Sequence, residues 1–291
     1  MARQPSPTST KITTMKKVLL IEPEADNAAA LTSLFDSPLW EVSYAQDNEA
    51  ALKRATEEAF DLIVTNAGTT ATEDVVLLRR LRSVRPHSRL IILTRQRMPG
   101  DVVNALRYHA FSYFTVPVVR EDLRQLVEDV MHEPAWDDGI ELLQGTAEYA
   151  VLAVRCDLGT LDRLMQFARA GLDFPEAEKE EVAFAFREIV LNAMEHGGKF
   201  DPSKFVEVCY LRSKRQVTCR VKDPGEGFSL EEVLDAEKRK PLPEVEGPGD
   251  EPQLEGIGIM LARHYVDELI YNENANEVFL IKWLDKPVAG G

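Results

Sequence analysis

The first half of the chain alternates short apolar runs with longer stretches whose apolar positions repeat at helical spacing. Short apolar runs are typical of buried parallel strands, and the stretches between them are typical of amphipathic helices. The predicted strands cover 18–21, 41–44, 61–65, 90–94 and 112–115, and the predicted helices cover about 26–35, 48–58, 73–84, 102–109 and 120–131. Strands that alternate with helices in this way predict an α/β fold with a doubly wound, five-stranded parallel sheet.

The second half has a different pattern, in which the strands come in neighbouring pairs. The predicted strands cover 140–143, 150–156, 205–211, 216–221, 269–272 and 278–283, and the predicted helices cover about 161–170, 177–196 and 259–267. The pair 205–211 and 216–221 and the pair 269–272 and 278–283 indicate antiparallel hairpins. We therefore expect an α+β domain with a mixed sheet that helices cover on one face.

Two segments of biased composition divide the chain. Residues 1–14 are rich in Ser, Thr and Pro, and residues 132–139 combine Pro, Gly and like charges. We therefore expect a disordered leader (1–15), a first domain (16–132), a linker (133–145), a second domain (146–285) and a short tail (286–291). A length of 291 residues suits two domains that each bury a core.

Charge and hydropathy exclude two classes of partner. A net charge of -15 argues against a large basic surface for nucleic acid, and no apolar run approaches the roughly twenty residues of a membrane span. The first residues lack the apolar core of a signal peptide, so we expect a cytoplasmic protein. Cys156, Cys209 and Cys219 lack metal-binding spacing and are expected to be reduced, although Cys209 and Cys219 could be neighbours across a hairpin.

One predicted helix, at 177–196, carries the first candidate chemistry. Its apolar positions form one stripe, and Glu188, Asn192 and His196 follow at intervals of four residues on a neighbouring face. An amide oxygen is a hard, neutral magnesium ligand, and a carboxylate can orient or deprotonate a nucleophile. Gly197 and Gly198 then end the helix. From this segment alone, a magnesium–phosphate centre and an ordinary amphipathic helix are equally compatible with the pattern.

Two glycine clusters follow at the ends of regular elements. Asp223, Gly225 and Gly227 come directly after a strand, while Gly256 and Gly258 open a helix, where free amides and the helix dipole favour phosphate. Each cluster alone is also common in ordinary turns. The segment between them is rich in Pro, Gly and acidic residues and is too long for a turn. We expect residues 229–255 to be a mobile lid over a nucleotide, with a merely disordered insertion as the alternative.

The whole first domain resembles a response-regulator receiver domain. In that family an acidic pair follows the first strand, a phosphate-accepting Asp ends the third, Thr or Ser ends the fourth, and Lys-Pro follows the fifth. The matching positions here are Glu22, Asn66, Thr94 and Val116, and Tyr113 lies where the family often has an aromatic switch residue. The resemblance implies a receiver (flavodoxin-like) fold.

Departures from the receiver pattern imply that this domain is not phosphorylated. The Asn66 amide cannot form the acyl phosphate that a carboxylate forms. Glu22 alone is a poor magnesium site, and Val116 lacks the cation that would pair with a phosphate. We therefore interpret the domain as a pseudo-receiver that docks or dimerises through the face formed by the helix at 102–109 and the following strand, with an inert spacer as the alternative.

The second domain resembles the GHKL ATPase superfamily over about residues 146–285. Three motifs that match its N, G1 and G2 boxes carry the resemblance: Glu188-x-x-x-Asn192-x-x-x-His196, Asp223-Pro-Gly225-Glu-Gly227 and Gly256-Ile-Gly258. Within the superfamily, the Glu-x-x-x-Asn-Ala-x-x-His-Gly form of the helix and Val266-Asp267-Glu268 are most similar to the anti-sigma-factor serine kinases (RsbW-like). The resemblance implies the Bergerat ATP-binding fold, with ATP and Mg²⁺ as cofactors.

The resemblance also implies a role for each matching residue. Asn192 would hold Mg²⁺ against the phosphates of ATP, Glu188 would be the catalytic base, and Asp223 would accept a hydrogen bond from the adenine amino group. His196 would support the metal-side geometry or pack by the phosphates. Four glycines would bring the backbone close to the base or the phosphates: Gly225, Gly227, Gly256 and Gly258. Glu255 departs from the family, whose lids often carry a cation there, and this puts the catalytic rate in doubt.

These resemblances imply a bacterial signalling protein with two candidate activities. A sensor histidine kinase would need a helical hairpin with a phosphoacceptor His, and a gyrase-like or chaperone ATPase would need a transducer domain; the sequence predicts neither. The leading hypothesis is a serine/threonine protein kinase that phosphorylates an anti-sigma-antagonist-like partner. The alternative is a non-catalytic, nucleotide-gated partner-switching protein. Glu188 favours the kinase, while Asn66 and Glu255 favour the binding protein, and in either case we expect a protein partner and a homodimer.

Overall fold

The computed structural model of the protein describes residues 15–21, 31–95, 98–118, 120–132, 138–172, 174–227 and 258–284. Within these ranges the chain forms two sheets, one in each half. The predicted helix at 26–35 is described only from residue 31, and it closes with a 3₁₀ turn over Ser33–Phe35. None of the helices in the described ranges has the length and apolar composition needed to cross a bilayer.

The N-terminal domain contains a five-stranded parallel sheet in the order β2-β1-β3-β4-β5. Its strands are β1 (Lys16–Ile21), β2 (Trp40–Ala45), β3 (Leu62–Val64), β4 (Arg89–Thr94) and β5 (Ser112–Thr115). Its helices are α1 (Asn48–Glu57), α2 (Ala71–Val84), α3 (Pro99–Arg107) and α4 (Arg120–His132). This order confirms the predicted doubly wound α/β fold.

Local signals in the sequence explain where these elements form. Every residue of β3 and β4 is buried, as expected for central parallel strands with helices on both faces. Asp47 caps α1 by accepting a hydrogen bond from the amide of Ala50. Thr70 and Glu73 form a reciprocal capping box at the start of α2. The first two helices therefore begin at caps that their own sequences supply.

The C-terminal domain contains a six-stranded sheet in the order β10-β11-β9-β8-β7-β6. Its strands are β6 (Ile140–Thr146), β7 (Tyr149–Arg155), β8 (Phe205–Arg212), β9 (Gln216–Lys222), β10 (Glu268–Tyr271) and β11 (Glu277–Trp283). Its helices are α5 (Leu158–Gly171), α6 (Glu176–Asn192) and α7 (Gly258–Tyr265). All strand pairings of this second sheet, among the described residues, are antiparallel, so the α+β class is confirmed and the expectation of a mixed sheet is wrong.

One face of the second sheet is buried beneath the helices. Buried residues alternate with partly exposed ones along β7 and β9, and α6 contacts both α5 and α7. Cys209 pairs with Arg220, whereas Cys219 pairs with Tyr210. Because neighbouring strand positions point to opposite faces, the two cysteines lie on opposite sides of the sheet and are not a cross-strand pair.

The two domains meet where α5 lies beside β5, the edge strand of the first sheet. Arg163 of α5 is buried, and its guanidinium donates hydrogen bonds to the carbonyl oxygens of Phe111 (2.9 Å) and Ala110 (3.3 Å). It also donates to Asp138 Oδ1 (3.2 Å) and lies 5.2 Å from the centre of the Phe111 ring. One side chain of the second domain therefore satisfies two backbone acceptors of the first.

Further contacts extend this interface along α3 and β6. Arg107, at the end of α3, donates to the carbonyl oxygen of Gly145 (2.8 Å), and the Ser112 hydroxyl donates to Gln166 Oε1. Buried apolar residues of α3 and α5 belong to one cluster that continues through both domains. The face of α3 and β5, which the sequence suggests for docking or dimerisation, is therefore covered by the second domain of the same chain.

We expect Arg163→Ala to lower the free energy of unfolding by about 3 kcal/mol. The change removes the guanidinium from two buried carbonyl oxygens and from Asp138. Arg169→Ala is the matched control, because Arg169 lies on the same helix and forms a more exposed ion pair with Glu180 (3.4 Å), worth less than about 1 kcal/mol. Urea unfolding of the full chain measures both variants, and equal losses would contradict the assigned interface.

Candidate functional site

Helix α6 has a buried face and a polar face. Val182, Phe186 and Ile189 are buried in the domain core. Glu188 and Asn192 are partly exposed and lie one helical turn apart on the other side. The burial of the apolar stripe therefore determines which way the two candidate catalytic residues face.

The winding of the helix changes immediately after Asn192. Residues Ala193–Gly198 form a π-helical turn, in which i→i+5 hydrogen bonds replace the i→i+4 bonds of an α-helix. A π turn advances less around the axis with each residue, so His196 does not continue the stripe of Glu188 and Asn192, and it is exposed. The predicted stacking of three residues is correct for Glu188 and Asn192 and wrong for His196.

A cleft lies beside the end of α6. Asn192 and Asp223 both line it, and so does Ile259, the second residue of α7. The other lining residues come from α6, the π turn, β9 and the last hairpin: Ile189, Ala193, Val221, Tyr271, Ala275, Asn276, Glu277 and Val278. The fold thus brings Asn192 of the first motif and Asp223 of the second to one cleft, beside the residue that follows Gly258 of the third. Glu188, His196 and Gly258 themselves do not line it.

Asp223 is held at the end of β9 by close backbone contacts. Its Oδ1 accepts a hydrogen bond from the amide of Gly225 (2.7 Å), and a Cβ at Gly197 would come within 2.2 Å of the same oxygen. Burial raises the pKa of Asp223, while the Gly225 amide and the charge of His196 lower it. His196 therefore lies close enough for its charge to act on Asp223, and its predicted role beside the metal and phosphates stays a prediction.

Glu188 lies in a partly desolvated position next to the start of α7. Its side chain is 15% exposed, and Arg187 Nη1 lies 3.7 Å from its Oε1. Burial raises the pKa of Glu188, and Arg187 opposes that rise. A Cβ at Gly258 would lie 2.4 Å from Glu188 Oε2, so a larger residue at the start of α7 would require this carboxylate to shift. A carboxylate with a raised pKa is suited to accept a proton from a hydroxyl group.

Some predicted features lie outside the described residues. These are Gly256, the first glycine of the second cluster, and the predicted lid at 229–255 with Glu255. Gly258 is described and is the first residue of α7.

The turn between β10 and β11 also contributes to the cleft, although the sequence does not single it out. Ala275 is buried with a positive φ of 54°, and both Ala275 and Asn276 line the cleft. Asn276 Nδ2 donates a hydrogen bond to the carbonyl oxygen of Gly225 (3.2 Å). The available signal is the asparagine-rich stretch 272–276, which is typical of a tight turn and does not indicate a ligand.

Each half of the chain matches a different family of known protein domains. Residues 18–128 match the family model of the response regulator receiver domain, and residues 156–282 match that of the histidine kinase-like ATPase domain. The first part of the chain is therefore similar to a receiver domain, and the second part is similar to a histidine kinase-like ATPase domain.

The similar proteins share low sequence identity with the chain. The transcriptional regulatory proteins GlrR of Escherichia coli (strain K12) and QseF of Escherichia coli O157:H7 are each 24% identical over 154 residues, which are 50% of this chain and 35% of theirs. The chain thus spans about a third of the length of these curated relatives. Among solved structures, a receiver domain protein from Clostridium thermocellum is 24% identical, with a TM-score of 0.36 over 40% of this chain and 94% of that chain. CheY4 of Vibrio cholerae is 20% identical, with a TM-score of 0.36 over 40% and 99%.

In the N-terminal domain, the Asn66 side chain forms hydrogen bonds within the loop that follows β3. The side chain is buried, and its Oδ1 accepts hydrogen bonds from the amides of Gly68 and Thr69, the latter at 3.2 Å. The Thr69 hydroxyl in turn donates to the Asn66 carbonyl oxygen (3.0 Å). This is the local capping that asparagine commonly provides in turns. The amide thus stabilises a loop at the position where the family has a phosphate acceptor.

The other matched receiver positions are structural in character. Thr94 is buried at the end of β4, and Tyr113 is buried within β5. Val116 follows β5 and precedes Pro117 through a cis peptide bond. Glu22 lies outside the described residues. Thr94 and Tyr113 keep the residue types of the family pattern, whereas Val116 lacks the cation of that pattern, and the pseudo-receiver interpretation stays a prediction.

We expect Gly227→Ala to lower the free energy of unfolding by about 2 kcal/mol or more and to weaken nucleotide binding. Gly227 has φ of 94°, and a Cβ there would lie 1.8 Å from the carbonyl oxygen of Asn274. Gly159→Ala is the control, because Gly159 lies within α5 with room for a methyl group, and we expect it to gain about 0.5–1 kcal/mol. Thermal unfolding and ATP titration measure both changes, and a fully stable Gly227→Ala variant would disprove this backbone conformation.

Proposed function

We propose that the ATPase domain binds Mg-ATP and transfers the γ-phosphoryl group to a serine or threonine hydroxyl of a protein partner of the anti-sigma-antagonist kind. The observation that best supports this proposal is that Glu188 and Asn192 lie one turn apart on α6. Asn192 also lines a cleft that contains Asp223. One helical face thus carries a candidate metal ligand and a candidate base, and a carboxylate that could accept a hydrogen bond from a purine lies beside the metal ligand. This arrangement favours a role in phosphoryl transfer over a purely structural role.

The donor set fits a magnesium ion. Mg²⁺ is commonly bound by one or two protein oxygens together with substrate phosphates and water, so a single amide such as Asn192 is sufficient. When bound, the ion would neutralise charge on the phosphates. The start of α7 is the matching phosphate site, because Gly258 and Ile259 present backbone amides and the positive end of the helix dipole beside the cleft.

Glu188 has the properties of the proton acceptor. Burial raises its pKa, and the charge of Arg187 opposes that rise. In the transfer step the substrate hydroxyl oxygen bonds to the γ-phosphorus, the bond to ADP breaks, and the hydroxyl proton passes to Glu188. Desolvation strengthens the carboxylate as a base compared with an exposed glutamate.

A non-catalytic, nucleotide-gated partner-switching protein is the second candidate. The observation in its favour is that the Asn66 side chain caps its own loop at the position that matches the phosphate acceptor of receiver domains. By analogy with a receiver domain that is not phosphorylated, the ATPase domain would bind a nucleotide without transferring its phosphate. Phosphate transfer to a partner, rather than ATP binding, separates the two functions.

We expect Glu188→Gln to reduce phosphate transfer at least about 100-fold while ATP affinity stays within about threefold of the wild type. The amide keeps the shape of the side chain and cannot accept the proton. The acid limb of the wild-type pH–rate profile should lie above the ordinary glutamate pKa of 4.5, since the base loses its charge as the pH falls through its raised pKa. Labelled ATP with candidate partner proteins measures the transfer.

Glu195→Gln is the matched control for this experiment. Glu195 is an exposed carboxylate on the π turn that follows α6, and we expect its loss to leave both transfer and binding unchanged. If wild type and Glu188→Gln bind ATP equally and neither transfers phosphate to any partner, the kinase hypothesis fails and the binding hypothesis stands.

We expect Asn192→Ala to abolish the magnesium dependence of ATP binding. Removing the amide oxygen deletes the one described protein ligand proposed for Mg²⁺. Calorimetric titration of ATP with Mg²⁺ and with excess chelator gives the dependence as a ratio of affinities. Wild type should bind at least about tenfold more tightly with the ion, and the variant should show a ratio near one. An unchanged ratio in the variant would refute the metal assignment.

A further inference from the structure

The turn between β10 and β11 forms hydrogen bonds with the loop 223–227, which we call the Asp223 loop. The amide of Asp223 donates to the carbonyl oxygen of Asn276 (3.0 Å), and Asn276 Nδ2 donates to the carbonyl oxygen of Gly225 (3.2 Å). Asn276 therefore contacts the loop at both ends of the three residues that begin with Asp223. Asn274 approaches the same loop at Gly227 through its backbone carbonyl.

The side-chain amides in this turn form a chain with a fixed direction. The amide of Glu277 donates to Asn272 Oδ1 (3.1 Å), Asn272 Nδ2 donates to Asn276 Oδ1 (2.8 Å), and Asn276 Nδ2 donates to Gly225. A backbone N–H at one end can only donate, and a backbone carbonyl at the other can only accept. Both asparagine side chains are thereby locked in one orientation, and replacing either amide nitrogen by oxygen would break the chain.

This chain of amides acts on Asp223 through Gly225. The carbonyl of Gly225 is held by Asn276, and the amide of Gly225 donates to Asp223 Oδ1 (2.7 Å). One carboxylate oxygen is thus engaged by the backbone, which fixes the direction of the other. Asp223 and Asn276 line the same cleft, so the fixed carboxylate edge lies where a bound base would be read.

We propose that Asn276 is a positioning residue that makes the cleft selective for purine nucleotides with a 6-amino group over those with a 6-oxo group. An ionised carboxylate only accepts hydrogen bonds, so it favours an amino group and repels a carbonyl oxygen, provided that its orientation is fixed. This inference rests on the proposed base contact of Asp223. It assigns the selectivity to the turn that holds Asp223 as well as to Asp223 itself.

The test compares ATP with inosine triphosphate, which differs at the 6-position of the purine. Affinities for both are measured by calorimetry with Mg²⁺ on the full chain, for wild type, Asn276→Ala and Asn276→Asp. We expect wild type to prefer ATP by about tenfold or more, as for a hydrogen bond to a charged group, and both variants to fall to about threefold or less. The added charge of Asn276→Asp affects both triphosphates equally and cancels in the ratio.

Asn274→Ala is the matched control within the same turn. Its side chain is exposed, and the approach to Gly227 uses its backbone oxygen, so the ratio should remain at the wild-type value. A purely structural role for Asn276 would weaken both nucleotides equally and keep the ratio, which would overturn the inference and leave the proposed function intact. A wild type that binds both nucleotides equally would instead refute the proposed base contact of Asp223, and the inference with it.

Discussion

Helix α6 must bury its apolar stripe, and the candidate site depends on that requirement. Val182, Phe186 and Ile189 lie in the core of the second domain, so the helix has one permitted rotation about its axis. Each buried side chain of this size contributes about 1.5–3 kcal/mol, and any other rotation would also bury the Glu188 carboxylate, which is unfavourable. The hydrophobic core thereby orients the polar side chains, and the same helix serves stability on one face and chemistry on the other.

The sequence predicts those parts of the molecule that depend on local pattern. Period-two and helical spacings locate the strands and most helices, and the four-residue interval between Glu188 and Asn192 survives because that part of α6 is regular. His196 departs from the prediction because Gly197 and Gly198 permit a π turn that fits closely against Asp223 and Cys156. A spacing rule assumes α-helical winding, and the close packing that changes the winding involves residues distant in sequence.

Other features depend on tertiary contact and have no local signature. The role of Asn276 depends on its hydrogen bond to Gly225, which is distant in sequence. In the sequence, Arg163 is an ordinary polar residue of an amphipathic helix, and its role follows only from its hydrogen bonds to Ala110 and Phe111. The receiver domain shows the converse case. Its departure at Asn66 is visible in the sequence, while the loop capping that employs the amide is visible only in the structure.

The position of α5 along β5 has a consequence for how the chain can be divided. β5 is an edge strand, and edge strands with free backbone groups readily pair with other chains. The second domain shields this strand, since the Arg163 guanidinium meets the carbonyl oxygens just before it and Gln166 meets Ser112. Cutting the chain between the domains would expose both the edge of β5 and the apolar surface of α3. The second domain therefore covers surface of the first that would otherwise favour aggregation.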